Sequence, residues 1–380
     1  MPEIKNLKKA AQRIIAAIKN KEKIVLYGDA DLDGVSSVII LENTIKNLGG
    51  KVSALYFPDR EIEGYGITEK GLSFLEKKAP ALLVAMDCGI GNFKEVKLAK
   101  KLGFKVIIVD HHEILEELPE AEIVVDPKQP GDKYPFKFLA TVGIAFKLSK
   151  ALLEDKMTDS VRKNFLELVA LATLADMMPQ TSENRIMTTE GLTFLKSSWR
   201  PGLQALFELK VIRSLDFNHR ISKINSLLNI RDIENKMPAA FRILTASNKN
   251  KAKELAEKLY QKGLERKEKI YKMIAEIEER LVKKEAEQII FEGDSSWEEA
   301  FLGIAASTVS QRHQKPTFLY KKLEKESQGG IRAPSGYNVV EMMKGCSKYL
   351  ITFGGHPQAA GFRLKNENLD KFRNCLINQL

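Results

Sequence analysis

Three aspartates spaced two residues apart follow the first apolar run of the sequence. Asp29, Asp31 and Asp33 lie in YGDADLDG, directly after KIVL. Side chains of an extended backbone alternate between two faces, so all three carboxylates point the same way if this segment stays extended. Such carboxylates repel one another unless cations lie between them, and this predicts a metal site. A polar turn before a helix that begins near Gly34 explains one aspartate, with Asp33 as a cap, but explains three poorly.

Two adjacent histidines and two more aspartates extend this predicted site. Asp110, His111 and His112 follow KVIIV, and Asp87 follows ALLVAM. We expect one imidazole to bind a metal ion and the other to be a second ligand or a donor to substrate phosphate, with Asp110 orienting an imidazole. Asp87, a carboxylate at the end of a buried strand, is expected to bridge two ions.

Asp176 ends the apolar run LVALATLA, which predicts a buried helix. A carboxylate there needs a partner, and metal coordination explains it about as well as a helix cap or an ion pair. Oxygen and imidazole ligands without thiolates favour Mn²⁺, with Mg²⁺ as the alternative. Two such ions lower the pKa of a bridging water and stabilise the attacking and leaving oxygens of phosphoryl transfer. The pattern therefore predicts a metal-dependent phosphodiesterase.

Glycine-rich segments near the C-terminus predict a phosphate-binding surface. GGIRAPSGYN contains Arg332 and Ser335, and FGGHPQAAGF contains Gly354, Gly355 and His356. Glycine lets backbone N–H groups approach an anion, and arginine adds a pair of donors. Glycines that only form tight turns are the simpler alternative.

The loop FPDREIEGYG offers Arg60 and Tyr65 as further contacts to a nucleic-acid strand, although stacking platforms usually need more than one aromatic residue. The formal charge of +10 suits a polyanion but is equally typical of a solvated, lysine-rich surface.

The elements that would position these residues follow an alternating pattern. KIVLYG, KVSALYF, ALLVAMD, KVIIVD and AEIVVD predict strands, and helical periodicity fills the segments between them. This alternation predicts an α/β fold with a parallel sheet, and ligands of such sheets bind beyond the carboxyl ends of the strands. The aspartates and histidines lie at those ends.

We expect a catalytic domain over residues 1–248, with an α/β core at about 23–125 and a helical part at about 138–248. A charged amphipathic helix over 249–287 is the expected linker, and residues 288–380 are expected to form a smaller α/β domain. The three cysteines are too few and too scattered for a disulfide framework, and no apolar run is long enough to cross a membrane. Both observations predict a cytoplasmic protein without a membrane partner.

Six segments resemble, in their order along the chain, the DHH phosphoesterase superfamily, and most closely its single-strand-specific exonucleases. They are DADLDGVSS, FPDREIEGYG, MDCG, VDHH, LATLADMMP followed by SENR, and GGHPQAAGF. The resemblance implies a catalytic domain and a substrate-binding domain joined by a long helix, with single-stranded DNA threading the cleft between them.

The resemblance also implies roles for single residues. It places metal ligation on Asp29, Asp31, Asp33, Asp87, His111 and Asp176, with His112 beside them. It assigns substrate phosphate to His356, its glycines and Arg332. The implied activity is removal of nucleotides from single-stranded DNA rather than RNA, from the 5′ end, in repair and recombination. Single-strand-binding or replication proteins are the implied candidates for protein partners.

Two segments depart from the family pattern. SKINSLLNIR keeps Asn225 but lacks a glycine and an arginine, and WEEAFLGIAAS lacks a histidine expected near Trp297. Two alternatives therefore stay open. One is a phosphodiesterase for short oligonucleotides or cyclic dinucleotides, and the other is a non-catalytic scaffold that binds single strands.

Overall fold

The computed structural model describes residues 2–114, 117–283 and 287–379. The chain divides into two compact units, Met1–Lys262 and Gly263–Leu380, and each unit contains its own five-stranded sheet. Helices pack against both sheets, so the predicted α/β fold class is confirmed.

The first sheet is entirely parallel, in the order β2-β1-β3-β4-β5. Its strands are β1 (Ile24–Gly28), β2 (Val52–Tyr56), β3 (Ala81–Met86), β4 (Phe104–Val109) and β5 (Ile123–Val125), so all five predicted strands are present. All residues of β1 and β3 are buried, as expected for a parallel sheet covered on both faces. The strand order reverses between β1 and β3, and a ligand crevice is expected at such a point.

Eleven α-helices belong to the first unit within the part of the chain that the structure describes. They are α1 (Leu7–Lys19), α2 (Leu32–Asn47), α3 (Glu69–Leu75), α4 (Phe93–Lys101), α5 (Thr141–Leu153), α6 (Asp159–Ala175), α7 (Ser182–Leu195), α8 (Pro201–Glu208), α9 (Lys210–Arg213), α10 (Phe217–Leu228) and α11 (Ala239–Leu244). A short hairpin of β6 (Ile233–Glu234) and β7 (Met237–Pro238), which we did not predict, interrupts the helical part. Alternate residues of β1 enter different cores, with Ile24 and Leu26 on one face and Val25 and Tyr27 on the other.

The start of α2 differs from the prediction. The helix begins at Leu32 rather than near Gly34, and Asp31 rather than Asp33 is its N-cap. The Asp31 carboxylate accepts hydrogen bonds from the backbone N–H groups of Asp33 (3.0 Å) and Gly34 (3.1 Å). A Cβ atom on Gly34 would lie 2.5 Å from the carbonyl oxygen of Asp29. Glycine is therefore required at this position, because the first turn of α2 packs directly against the backbone of Asp29. The segment is therefore not extended beyond Asp31.

The second sheet is mixed, in the order β11-β12-β10-β9-β8. Its strands are β8 (Ile290–Asp294), β9 (Thr317–Lys322), β10 (Glu326–Arg332), β11 (Leu350–His356) and β12 (Ala359–Lys365). Only the β8–β9 pair is parallel. The remaining helices are α12 (Lys249–Val282), α13 (Glu299–His313), α14 (Val339–Gly345) and α15 (Leu369–Ile377).

The long helix α12 contributes apolar residues to both units. Leu259 is buried in the core of the first unit, and Ile274 and Ile277 are buried in a cluster of the second. The division between the units therefore falls inside this helix, after Lys262. The predicted linker continues to residue 287, but residues 284–286 lie outside the described part of the chain.

A single disulfide, which the sequence pattern did not predict, joins two of the three cysteines. Cys346, directly after α14, and Cys375, within α15, form a disulfide with a Cα–Cα distance of 5.9 Å. They are 29 residues apart in sequence, and only the packing of α14 against α15 brings them together. Cysteine usage therefore no longer supports the predicted cytoplasmic location. Within residues 2–114, 117–283 and 287–379, no helix has the length and apolar character to cross a membrane.

Candidate metal centre and phosphate-binding surface

Three buried aspartates directly follow neighbouring strands of the parallel sheet. Asp29 follows β1, Asp87 follows β3 and Asp110 follows β4, and none is more than 2% exposed. Asp87 has a φ of 63°, a left-handed conformation that aspartate adopts more readily than most residues and that turns the chain at the strand end. The parallel sheet thus brings carboxylates from distant parts of the sequence to one edge.

Three overlapping groups of side chains at this edge could each hold a metal ion. In each group the ligand atoms lie within 4.8 Å of one another, and the groups are Asp29/Asp31/Asp87, Asp87/His111/His112 and Asp33/His111/Asp176. Nε2 of His111 lies 3.4 Å from an Asp87 oxygen and 3.5 Å from an Asp176 oxygen. The structure therefore brings together all six predicted ligands and His112, while their binding of metal stays a prediction.

The electrostatics of the cluster favour a bound cation. Burial, followed by the charges of neighbouring aspartates, raises the pKa values of Asp33 and Asp87 well above the ordinary range. Burial and then the charge of Asp31 raise the pKa of Asp176 to about 6. One buried oxygen of Asp176 has no hydrogen-bond partner among the described residues. Carboxylates that repel one another when ionised, together with a buried oxygen that accepts no hydrogen bond among the described residues, fit a divalent ion.

His111 and His112 have different surroundings. Burial lowers the pKa of His111 to about 4, so this imidazole is neutral at physiological pH, which is the form that binds metals. Burial would lower the pKa of His112, but its Nδ1 lies 2.7 Å from an Asp110 oxygen, and this hydrogen bond raises the pKa overall. Asp110 also accepts from the backbone N–H groups of His111 and Ile90. Asp110 thus orients the imidazole of His112.

Residues 23–173 match the DHH family, N-terminal domain, and residues 285–380 match the DHHA1 domain. The chain therefore contains a DHH domain and a DHHA1 domain. The single-stranded-DNA-specific exonuclease RecJ of Bacillus subtilis (strain 168) is 37% identical over 380 residues, which cover 98% of this chain and 48% of that protein. RecJ of Thermus thermophilus is 28% identical over 375 residues, covering 97% of this chain and 54% of that protein. The chain therefore spans about half the length of these two relatives.

Solved structures of RecJ share the fold. A crystal structure of exonuclease RecJ bound to manganese has a TM-score of 0.81 and 25% identity, covering 99% of this chain and 94% of that chain. RecJ from Thermus thermophilus in complex with Mn²⁺ has a TM-score of 0.82 and 24% identity, covering 99% of this chain and 55% of that chain. The manganese bound by the first of these proteins agrees with the donor types gathered in this DHH domain.

Thr141, which the sequence analysis missed, supports two of the carboxylates in the DHH domain. The Thr141 hydroxyl donates to Asp87 (2.9 Å), and the backbone N–H groups of Thr141 and Val142 each donate to Asp33 (2.8 Å). These groups form the N-terminus of α5, which favours negative charge. A threonine before the apolar run VGIAF resembles an ordinary helix start, so its role depends on the fold.

The altered segment SKINSLLNIR also reaches this edge of the DHH domain. The side-chain oxygen of Asn229 accepts a hydrogen bond from the backbone N–H of Leu32, the first residue of α2 (3.1 Å). Asn225 is buried and donates to the carbonyl of Leu171 in α6. The segment therefore supports the helices that carry Asp31 and Asp176.

Arg60 and Tyr65, predicted to contact the strand, lie within the candidate metal centre. Arg60 Nε donates to one oxygen of Asp29 (2.8 Å), and Nη2 donates to the other oxygen and to Asp31 (3.1 Å). The Tyr65 hydroxyl donates to the carbonyl of Asp87 (3.1 Å) and lies 3.2 Å from Nδ1 of His112. Both side chains therefore contact candidate ligands directly.

The predicted phosphate-binding residues gather at one end of the DHHA1 sheet. Arg332 ends β10 and His356 ends β11, and both stand opposite Ala359 of the intervening β12. Residues directly opposite in antiparallel pairs project to the same face, so Arg332 and His356 share a face. Three further predicted residues, Ser335, Gly354 and Gly355, lie nearby in sequence. Gly355 has a φ of 138°, which favours glycine at this position.

Gly303, which the sequence analysis also missed, leaves room for Arg332. It lies in α13, within the altered segment WEEAFLGIAAS, and a Cβ atom there would lie 3.1 Å from Nη2 of Arg332. The Arg332 guanidinium is half-buried and donates to the carbonyl of Ile331 (2.7 Å). The segment that departs from the family pattern thus still accommodates the predicted phosphate ligand.

Proposed function

We propose that this protein is a metal-dependent exonuclease that hydrolyses the phosphodiester bonds of single-stranded DNA, working from the 5′ end in repair and recombination. The observation that carries the proposal is the meeting of all six predicted ligands and His112 at the carboxyl edge of the parallel sheet. The RecJ relatives are single-stranded-DNA-specific exonucleases, which supports the choice of substrate. Because DNA is the substrate, we also propose a cytoplasmic location.

Each part of the site has a proposed role. Two divalent ions, Mn²⁺ in preference to Mg²⁺, would be held by Asp29, Asp31, Asp33, Asp87, His111 and Asp176. When bound, such ions lower the pKa of a water molecule and stabilise the charge that develops on the phosphate oxygens. Asp110 fixes His112, whose exposed imidazole can donate a hydrogen bond to a phosphate at this edge.

The two units have separate proposed tasks. Residues 1–248 carry the hydrolysis, residues 249–287 are the linker, and residues 288–380 hold the phosphates of the strand. In this last part, Arg332, Ser335, Gly354, Gly355 and His356 would provide backbone N–H groups, a hydroxyl, a guanidinium and an imidazole. Arg60 and Tyr65 provide further contacts beside the metal centre.

A nuclease assay with defined ends tests the proposal. Purified protein is incubated with Mn²⁺, Mg²⁺ or a chelator and with labelled single-stranded or duplex DNA, blocked at either the 5′ or the 3′ end. We expect stepwise loss of mononucleotides from single strands with Mn²⁺, inhibition by a 5′ block and little turnover of the duplex. Folded protein that degrades no single strand with either metal would contradict the proposal.

A length series in the same assay separates the alternatives. Faster turnover of dinucleotides than of strands of about ten nucleotides would identify an oligonucleotide phosphodiesterase, because longer strands add the phosphate contacts that supply affinity. Binding of single strands without hydrolysis and without uptake of Mn²⁺ in calorimetry would identify a scaffold. The proposed exonuclease should hydrolyse long single-stranded DNA and leave a matched RNA strand largely intact.

A further inference from the structure

Arg60 occupies the carboxylates of one candidate metal group. Both oxygens of Asp29 accept hydrogen bonds from its guanidinium, and so does Oδ2 of Asp31. The other oxygen of Asp31 accepts from the backbone N–H groups of Asp33 and Gly34. Every side-chain oxygen of this aspartate pair therefore already has a donor, and three of the four have the same one.

A divalent ion and this guanidinium compete for Asp29 and Asp31. The ion needs the oxygens to which Arg60 donates, and two cations at such short range repel strongly where little water separates them. Asp29 is fully buried, so its charge requires one cation or the other. Binding of metal to Asp29/Asp31/Asp87 is therefore expected to weaken the contacts of Arg60.

The segment that carries Arg60 is built to allow such a change. It connects β2 to α3, and the Ile62 side chain on it is 69% exposed. Gly64 and Gly66, on either side of Tyr65, have φ values of 88° and 89°. Tyr65 lies beneath the guanidinium, with Arg60 Cζ 4.9 Å from its ring centre. Two glycines thus provide backbone freedom four and six residues after the arginine.

We propose that Arg60 is an exchangeable cation of the metal centre: a divalent ion displaces its guanidinium from Asp29 and Asp31, and the released side chain becomes available to a phosphate of the strand. This inference rests on the proposed metal-dependent function. It couples loading of the ion to the appearance of a phosphate-binding arginine beside the same site. Metal-loaded protein therefore binds the strand better than metal-free protein for two reasons. The ion contacts phosphate directly, and the released Arg60 guanidinium binds a second phosphate oxygen or a neighbouring phosphate.

Calorimetric titration with Mn²⁺ alone tests the exchange. Arg60→Gln removes the competing cation and should tighten Mn²⁺ binding by about tenfold or more, given the usual strength of charged hydrogen bonds. Arg60→Lys keeps a charge without the two-pronged geometry and should change the affinity less. Arg213→Gln, at an exposed position of α9, makes the same charge change elsewhere and should leave Mn²⁺ affinity unchanged.

Chemical labelling gives a second readout without any substitution. Phenylglyoxal modifies accessible guanidinium groups, and mass spectrometry of the wild-type protein should show several-fold faster modification of Arg60 when Mn²⁺ is added. Arg213 should react equally with and without the ion.

The outcomes distinguish the exchange from the proposed function. Wild-type protein that binds no Mn²⁺ would overturn the metal centre itself, and with it this inference. Two other results would overturn the exchange alone, provided that the wild-type protein binds Mn²⁺. One is folded Arg60→Gln that binds Mn²⁺ no more tightly than wild type. The other is protection of Arg60 from phenylglyoxal by Mn²⁺.

Discussion

The two sheets of this protein place their functional residues in opposite ways. In the DHH domain, loops after parallel strands bring aspartates and histidines to one edge, where Asp29, Asp87 and Asp110 are almost fully buried. In the DHHA1 domain, Arg332 and His356 end antiparallel strands, and His356 with its glycines is exposed. Burial fixes groups that must hold small ions, whereas exposure suits groups that meet a long, flexible polyanion.

The two regions also differ in charge, because one gathers acidic groups and the other gathers hydrogen-bond donors. Burial, followed by the charges of neighbouring carboxylates, raises the pKa values of Asp33 and Asp87 in the DHH domain, which favours binding of a cation. The DHHA1 surface offers an arginine, a histidine and backbone donors, which favour an anion. Hydrolysis and strand affinity should therefore respond to different substitutions, and the following predictions test this separation.

The largest expected effect is the loss of hydrolysis in Asp87→Asn. Asp87 belongs to two of the three candidate metal groups, and metal ions supply several kcal/mol of transition-state stabilisation. We expect the single-turnover rate with Mn²⁺ to fall about a thousandfold or more. Asparagine tolerates the positive φ at this position, so circular dichroism and thermal unfolding should show a folded protein.

Strand affinity provides the contrast for this variant. In the absence of divalent ions, fluorescence anisotropy with a labelled single strand should show Asp87→Asn within a few-fold of wild type. Asp155→Asn, at an exposed position in the 3₁₀ turn after α5, should change neither quantity. If Asp87→Asn lost strand affinity as completely as hydrolysis, the two regions would not be separable.

The sequence predicted the elements of the DHH domain better than the details of its site. All five strands follow from short β-branched runs, and their parallel order explains why Asp29, Asp87 and Asp110 meet. The arrangement of Asp31 and Asp33 was predicted on a wrong premise, since the chain becomes helical at Leu32 rather than staying extended. The aspartates still approach the other ligands because the first turn of α2 begins against the strand end.

Other features could not be predicted because they depend on contacts between distant segments. Thr141 lies 54 residues from Asp87, to which it donates, and nothing near it in sequence indicates a carboxylate partner. Arg60 could be assigned to a strand contact by its type, but its contacts to Asp29 appear only in three dimensions. The Cys346–Cys375 disulfide likewise depends on the packing of two short helices.

A smaller effect, on binding rather than hydrolysis, is expected for Arg332→Gln. Loss of a charged hydrogen bond to phosphate should weaken strand affinity by about ten- to a hundredfold. The slope of log affinity against log salt should also become shallower by about 0.7, because one phosphate contact is lost. The rate at saturating strand and the Mn²⁺ affinity should stay close to those of wild type.

Lys371→Gln is the matched control for this prediction. Lys371 is exposed on α15, within the same DHHA1 domain, and its loss changes the charge equally. An identical fall in affinity for Lys371→Gln would indicate that overall charge, rather than the sheet end with Arg332 and His356, binds the strand.

The smallest expected effect concerns Thr141→Val in the DHH domain. Valine keeps the shape of the side chain but removes the hydroxyl that donates to Asp87, while the backbone N–H of residue 141 still donates to Asp33. Loss of a group that orients a metal ligand should lower both Mn²⁺ affinity and the rate at saturating strand by about tenfold. Thr193→Val, at an exposed position of α7, should change neither. A fall in strand affinity with unchanged Mn²⁺ binding would show that the start of α5 contacts the strand rather than the metal ligands.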